Sequence, residues 1–153
     1  MSSGQDALQA MVDGGELEVV PADLAGAKAL ITKARRHHVS ARTLAASDPE
    51  TAIGALHAGN RKALDAVLLA MGLRPTKTGG HLASGHAIRA ILGLKSAVAV
   101  YDTVRRVRNE GDYHSATTDV HSDDVTDNLD DSEVLVNACD SALSVVTPFV
   151  PAS

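Results

Sequence analysis

The segment from Tyr101 to His114 concentrates the side chains of this chain that are best suited to chemistry on a phosphate. It reads YDTVRRVRNEGDYH, and its last ten residues include three arginines, an asparagine, a tyrosine and a histidine. Arginine offers a planar fork that donates two hydrogen bonds to a phosphate, and histidine changes its charge near neutral pH. Arg108 and His114 therefore supply an anion clamp and a proton-transfer group, the parts needed to cleave RNA without a metal ion.

The spacing of these two residues limits how they can meet. Arg108 and His114 are six positions apart, so on one continuous helix their side chains point about 120° away from each other. They converge only if the helix breaks at Gly111, or if two copies of the segment face each other in a dimer. The alternative is structural, because Arg108 and Asp112 have the i, i+4 spacing of an ordinary helical ion pair.

The rest of the chain predicts the helices that position this segment. Hydrophobic residues make up 44% of the chain and aromatic residues 2%, which favours close-packed helices because strands rely on aromatic and β-branched residues. Asp48 and Pro49 are typical of a helix start, and Gly72 is typical of a helix end. We predict an all-α bundle of four to five helices, with an N-terminal extension over residues 1–20 that carries a short helix, and a single domain over residues 21–150.

Other boundaries follow from local signals. Pro21 is expected in the first turn of the second helix, and residues 74–80 are expected to form a loop. A polar loop is predicted over residues 115–122, and the last helix is predicted to run from near Asp123 to Val146.

Composition and charge narrow the class of protein. The net charge of −5 argues against coating nucleic acid nonspecifically, although it is compatible with a local basic cleft. The single cysteine, Cys139, cannot form an intramolecular disulfide and is expected in the core, which favours a reducing cytoplasm. No signal peptide or membrane-spanning run is apparent. The seven carboxylates from Asp119 to Glu133 lack the spacing of a calcium loop, so we predict a solvated face, no metal and no cofactor.

The sequence Arg108–His114, RNEGDYH, resembles the Arg-x(4–6)-His motif of the HEPN superfamily (higher eukaryotes and prokaryotes nucleotide-binding domain). Five residues separate Arg108 from His114, and Asn109 matches the polar residue that commonly follows the arginine. Upstream, ALHAGNRKALDAVLLAMGLRPTKTGGHL is similar to a segment of small actinobacterial HEPN proteins, so the resemblance covers about residues 21–146. Many of these relatives read RNxxEY, and the position that often holds the histidine of active toxins is Tyr113 here.

This resemblance implies a four- or five-helix bundle that dimerises through the motif helices. It also implies metal-independent endoribonuclease activity of a toxin–antitoxin or phage-defence type, with Arg108, Asn109 and His114 as catalytic residues in a composite cleft. The alternative is a non-catalytic HEPN module that binds a nucleotide, RNA or partner protein through the same cleft. The partners implied are a second copy of the chain, RNA or a nucleotide, and an antitoxin or nucleotidyltransferase.

Two further residues of the segment are candidates for substrate binding. Arg105 shares a helix face with Arg108 at i+3, and Tyr113 shares a face with Asn109 at i+4. Both are therefore expected beside the cleft. The apolar residues of the same helix are expected to divide between the bundle core and a dimer interface.

A second basic stripe lies upstream. Arg35, His38 and Arg42 recur at i, i+3 and i+7, which places them on one face of a helix. We predict that Arg35 and His38 guide a phosphate backbone, and an ordinary solvated helix face is the alternative.

Overall fold

The computed structural model describes residues 3–93, 95–113 and 119–152. Within those ranges the chain forms six helices and one antiparallel pair of strands, which confirms the predicted all-α class. None of the described helices combines the length and apolarity needed to cross a membrane. The elements are α1 (Ser3–Asp13), β1 (Leu17–Val19), α2 (Leu24–Leu44), α3 (Pro49–Met71), β2 (Leu73–Pro75), α4 (Gly80–Leu92), α5 (Lys95–Tyr113) and α6 (Ser122–Ala142).

Helix α3 is the centre of the bundle, and α2, α4, α5 and α6 all pack against it. Local chemistry sets its ends as the sequence predicts. The Asp48 side chain accepts a hydrogen bond from the Thr51 backbone N–H at 3.2 Å, and Pro49 occupies the first turn. Gly72 ends the helix with a φ of 82°, a left-handed conformation that glycine adopts without steric strain.

Helices α2 and α3 approach closely at Gly59. A Cβ atom at this position would lie 2.7 Å from Cδ2 of His38 and 2.9 Å from the carbonyl oxygen of Ala34. Both distances are shorter than a carbon atom tolerates, so the absence of a side chain at Gly59 allows this packing.

A buried polar chain links three helices beside that contact. Nε2 of His38 on α2 donates to Oδ1 of Asn60 on α3 at 2.8 Å, and Nδ2 of Asn60 donates to Oγ of Ser132 on α6 at 2.9 Å. All three side chains are buried. Buried polar groups are tolerated when they are hydrogen-bonded to one another. These three linked side chains therefore fix the positions of α2, α3 and α6 relative to one another.

The N-terminal residues belong to the same core. Leu8 of α1 and Leu17 of β1 are each about as buried as the residues of α3. Strand β1 pairs with β2 in the register Leu17 to Pro75. A loop was predicted over residues 74–80, and this prediction is wrong for Arg74 and Pro75. These two residues belong to β2, because pairing with the distant strand β1 extends the chain there.

The start of α2 also differs from the prediction. Pro21 lies before the helix, which begins at Leu24 and is capped by Asp23, whose side chain accepts from the Gly26 backbone N–H at 2.8 Å. The preceding residue Val20 donates its backbone N–H to the Gly72 carbonyl at 2.9 Å. That bond holds the chain against the end of α3 and delays the helix by one turn.

The C-terminal helix begins one turn after the end of the undescribed segment. Residues 115–118 of the predicted loop lie outside the described part of the chain. At the start of α6, Asp124 accepts from the His121 backbone N–H at 2.8 Å, and α6 ends at Ala142 rather than at Val146. Cys139 is fully buried, as predicted, and burial raises the pKa of its thiol to about 12.

Candidate functional site

Helix α5 carries the arginine-rich segment and turns one face towards α3. Tyr101, Arg105 and Arg108 follow one another at i, i+4 and i+7, so they share that face. Tyr101 and Val104 are both fully buried in the core of the protomer. The helix continues through Gly111 to Tyr113, so it has no break at the glycine. The Tyr113 side chain and His114 lie outside the described residues.

Arg108 lines an open groove of about 310 Å³ between α3 and α5. The other lining residues all come from α3, where their spacing of i, i+3, i+4, i+7, i+8 and i+11 makes a single stripe along one face. These residues are Gly54, His57, Ala58, Arg61, Lys62 and Asp65.

The wall of this α3–α5 groove is held by two aromatic rings. The imidazole of His57 is only 3% exposed, and its ring centroid lies 5.4 Å from that of Tyr101 with 32° between the planes. Gly85 of α4 lies on the other side, where a Cβ atom would approach the Tyr101 ring to 3.3 Å. Burial raises the pKa of the Tyr101 phenol well above its usual value, so the phenol stays neutral.

One cation of the groove is balanced by a carboxylate. Oδ1 of Asp65 accepts from Oγ of Ser84 on α4 at 2.7 Å, and Nε of Arg61 lies 3.8 Å from Oδ2. Burial raises the pKa of Asp65, while the Ser84 hydrogen bond and the charges of Arg61 and Lys62 oppose that rise. Asp65 therefore orients Arg61 and reduces the positive charge at that end of the groove.

Lys62 differs from Arg61 in its distance to carboxylates. It is half-buried, and no carboxylate among the described side chains lies close enough to form a salt bridge with it, although its charge contributes to lowering the pKa of Asp65. Its charge, after burial, is the second cause that lowers the pKa of His37 on α2. The described lining thus holds three cations, from Arg61, Lys62 and Arg108, against the single carboxylate of Asp65. This local positive excess contrasts with the net charge of −5 of the chain.

Arg105, a predicted substrate-binding residue, lies beside the groove and does not line it. Its side chain is 21% exposed, and Nε lies 4.0 Å from Oδ1 of Asp102. The same Asp102 accepts from Arg89 of α4 at 3.3 Å. Arg105 is therefore part of a surface ion network that joins α4 to α5. Asn109 follows Arg108 and is half-buried.

The structure places Arg35 and His38, from the predicted basic stripe of α2, away from the α3–α5 groove. Arg35 donates to Asn137 at 2.9 Å and to Asp140 at 3.0 Å, both on α6. His38 is buried in the polar chain with Asn60. The groove that these two α2 residues line, about 170 Å³ in volume, shares no lining residue with the α3–α5 groove. Arg35 and His38 are therefore not brought together with Arg108.

The α3 stripe is the part of the site that the sequence analysis missed. A signal for it exists, since His57, Arg61 and Asp65 are spaced four apart in a mostly apolar helix, with Lys62 beside them. That pattern is also typical of an exposed face, and only the packing of α5 against α3 makes it a groove.

Two wider observations complete the description of the site. No group of three or more His, Cys, Asp or Glu side chains in the described part of the chain is arranged to hold a metal ion. Comparison of the chain with protein-family models, with curated proteins and with solved structures gives no match.

Proposed function

We propose that the protein is a metal-independent endoribonuclease that binds the RNA backbone at the α3–α5 groove. The observation that supports this proposal is the presence of Arg108 in one open groove with Arg61, Lys62 and His57. Arginine and lysine side chains in a concave site attract phosphate and stabilise the extra negative charge that develops on it during cleavage.

In the proposed reaction the RNA 2′-oxygen attacks the adjacent phosphorus, and the bond from phosphorus to the 5′-oxygen breaks. Arg108 stabilises the charged phosphorane. His114 of one copy of the chain takes the proton from the 2′-hydroxyl, and His114 of the second copy gives a proton to the leaving 5′-oxygen. The products are a 2′,3′-cyclic phosphate and a free 5′-hydroxyl. Because α5 continues through Gly111, a homodimer in which two motif helices face each other is the arrangement that we propose for the complete site.

A non-catalytic role of the same groove is the second candidate. In the family that the sequence resembles, active toxins often have a histidine at the position that Tyr113 occupies here. Tyrosine is a poor base at neutral pH. In that case the groove would bind a nucleotide, RNA or a partner protein without cleaving it.

The test is cleavage of single-stranded RNA in the presence of EDTA, with the product ends identified by mass spectrometry. Arg108→Ala and His114→Ala should each lower the rate by about 10²-fold or more. Arg106→Ala is the matched control, because Arg106 is exposed on the same helix and outside the groove. If the wild type leaves RNA intact but Arg108→Ala abolishes binding, the second candidate is correct. If RNA is neither bound nor cleaved, both are wrong.

A further inference from the structure

Helix α3 contributes more of the α3–α5 groove than the arginine-rich helix does, and no part of the α3 stripe belongs to the Arg108–His114 motif. We propose that Lys62, together with Arg108, binds a phosphate of single-stranded RNA in this groove, over an open floor at Gly54. This inference rests on the proposed function, because it names the ligand class and the further binding residues of the same groove.

Lys62 differs from two other cations in how its charge is paired. Arg61 lies 3.8 Å from Asp65, and Arg35 lies 3.0 Å from Asp140. Lys62 has no carboxylate within salt-bridge distance among the described side chains. Its charge acts on Asp65 from beyond salt-bridge distance, where it contributes with Arg61 to lowering the pKa of that carboxyl. The ammonium group therefore stays available to an anion from solution, and the water-excluding wall of the groove strengthens that attraction.

The floor of the groove is shaped by small residues of α3. A Cβ atom built on Gly54 meets no atom within 4 Å, so the groove is open directly above the α3 backbone. Ala58 lies one turn further along and also lines the groove, so two small residues precede Lys62 on this face of α3. The side of the groove is fixed, since His57 is packed against Tyr101.

The size of the groove selects the class of RNA. A groove of about 310 Å³ lies at the small end of ligand sites, which span roughly 300–1,000 Å³, and it suits one nucleotide unit. A duplex-binding domain instead contacts about 16 base pairs through a long basic surface. This chain has a net charge of −5, and most carboxylates of α6 are exposed. A flexible single strand can present one phosphate to the groove, whereas a duplex needs a long basic surface that a chain of this net charge does not supply.

The experiment is binding of a fluorescent, 2′-O-methylated RNA strand, which cannot be cleaved through its 2′-oxygen, measured by anisotropy at several salt concentrations. Lys62→Ala should weaken binding about tenfold or more, as expected for a charged hydrogen bond. It should also make the salt dependence shallower by about 0.7 in the log–log slope. Lys33→Ala, which removes an exposed lysine of α2, should leave both quantities unchanged. The same strand in a duplex should bind at least about tenfold more weakly.

A second pair of variants tests the floor without changing any charge. Gly54→Leu should fill the groove and weaken binding by a similar factor, whereas Ser40→Leu, at an exposed position of α2 outside the groove, should bind as the wild type does. Circular dichroism and thermal melting confirm that each variant is folded. If Lys62→Ala and Gly54→Leu bind and cleave RNA normally while Arg108→Ala does not, this inference is wrong and the proposed function stands. If binding depends on Lys62 and Gly54 but no cleavage occurs, this inference stands and the nuclease proposal is wrong. Equal or tighter binding of the duplex overturns the assignment of the ligand class.

Discussion

The imidazole of His57 packs on the ring of Tyr101, with 5.4 Å between the ring centroids, and this contact joins α3 to α5 beneath the groove. Tyr101 is fully buried and faces Gly85 of α4 on its other side. Arg108 lies two turns further along the same face of α5. The packing of Tyr101 therefore helps to set the position of Arg108 beside the α3 stripe.

Removing the Tyr101 ring should destabilise the whole bundle. Tyr101→Ala is expected to lower the free energy of unfolding by about 3–5 kcal/mol, because a large buried side chain is lost and a cavity remains. Tyr101→Phe keeps the ring and should cost only about 1 kcal/mol, the usual net value of one hydrogen-bonding group. Urea denaturation followed by circular dichroism measures both. Equal unfolding midpoints for Tyr101→Ala and the wild type would contradict the packing described here.

Two glycines of α3 should respond in opposite directions to the same substitution. Gly59→Ala should destabilise the protein by about 1–3 kcal/mol, because the new methyl group overlaps the Ala34 carbonyl and the His38 ring. Gly54→Ala should stabilise it by about 0.5–1 kcal/mol, since the site is open and alanine favours a helix interior over glycine. The two melting temperatures provide the measurement, and a stabilising Gly59→Ala would show that α2 and α3 are further apart.

The buried chain through Asn60 should be sensitive to loss of its central member. Asn60→Ala leaves both His38 and Ser132 without their partner, and each orphaned buried group costs about 1–3 kcal/mol. Asn137→Ala is the control, because Asn137 is exposed and only accepts from Arg35, so its effect should stay within about 0.5 kcal/mol. The difference in urea midpoints between the two variants checks this prediction. Similar urea midpoints for the two variants would argue against the hydrogen bonds that Asn60 makes to His38 and Ser132.

The pH dependence of stability should report on His38. Burial lowers its pKa below the ordinary value of 6.5, and the charges of Arg35 and Arg42 act in the same direction, whereas the Asn60 hydrogen bond and Glu133 oppose them. The unfolded chain therefore binds the proton first as the pH falls. The stability contributed by neutral His38 is fully present above pH 6.5 and is lost as the pH falls from there through the folded-state pKa.

The measurement is the free energy of unfolding of the wild type and of His38→Gln across that pH window. Glutamine can donate to Asn60 but does not titrate, so the variant should lose less stability on acidification. His37, whose pKa is also lowered, is present in both proteins and does not affect the comparison. Parallel curves would show that His38 does not carry this pH dependence.

The sequence predicted those features of the fold that local chemistry decides. Asp48, Pro49 and Gly72 set the ends of α3 through contacts within a few residues, and their roles were predictable. Strand β2 was not, because its three residues are extended by pairing with β1, which lies more than fifty positions earlier in the chain.

The site divides in the same way. Arg108 could be identified from its neighbours in sequence. The contribution of Lys62 could not, because it depends on which face of α3 turns towards α5. Arg35 has the residue type of a phosphate ligand, yet its carboxylate partner, Asp140, lies 105 positions away, where no local pattern reveals it.

The most direct test of the account is to map where a short RNA binds. An isotope-labelled sample would be titrated with a 2′-O-methylated dinucleotide and followed by nuclear magnetic resonance. We predict that the signals of Gly54, Lys62 and Arg108 shift together, with one dissociation constant, and that Lys62→Ala weakens all three responses. Shifts confined to the α2–α6 groove of Arg35 and Arg42, or no shifts at all, would contradict the claim that the α3–α5 groove binds RNA.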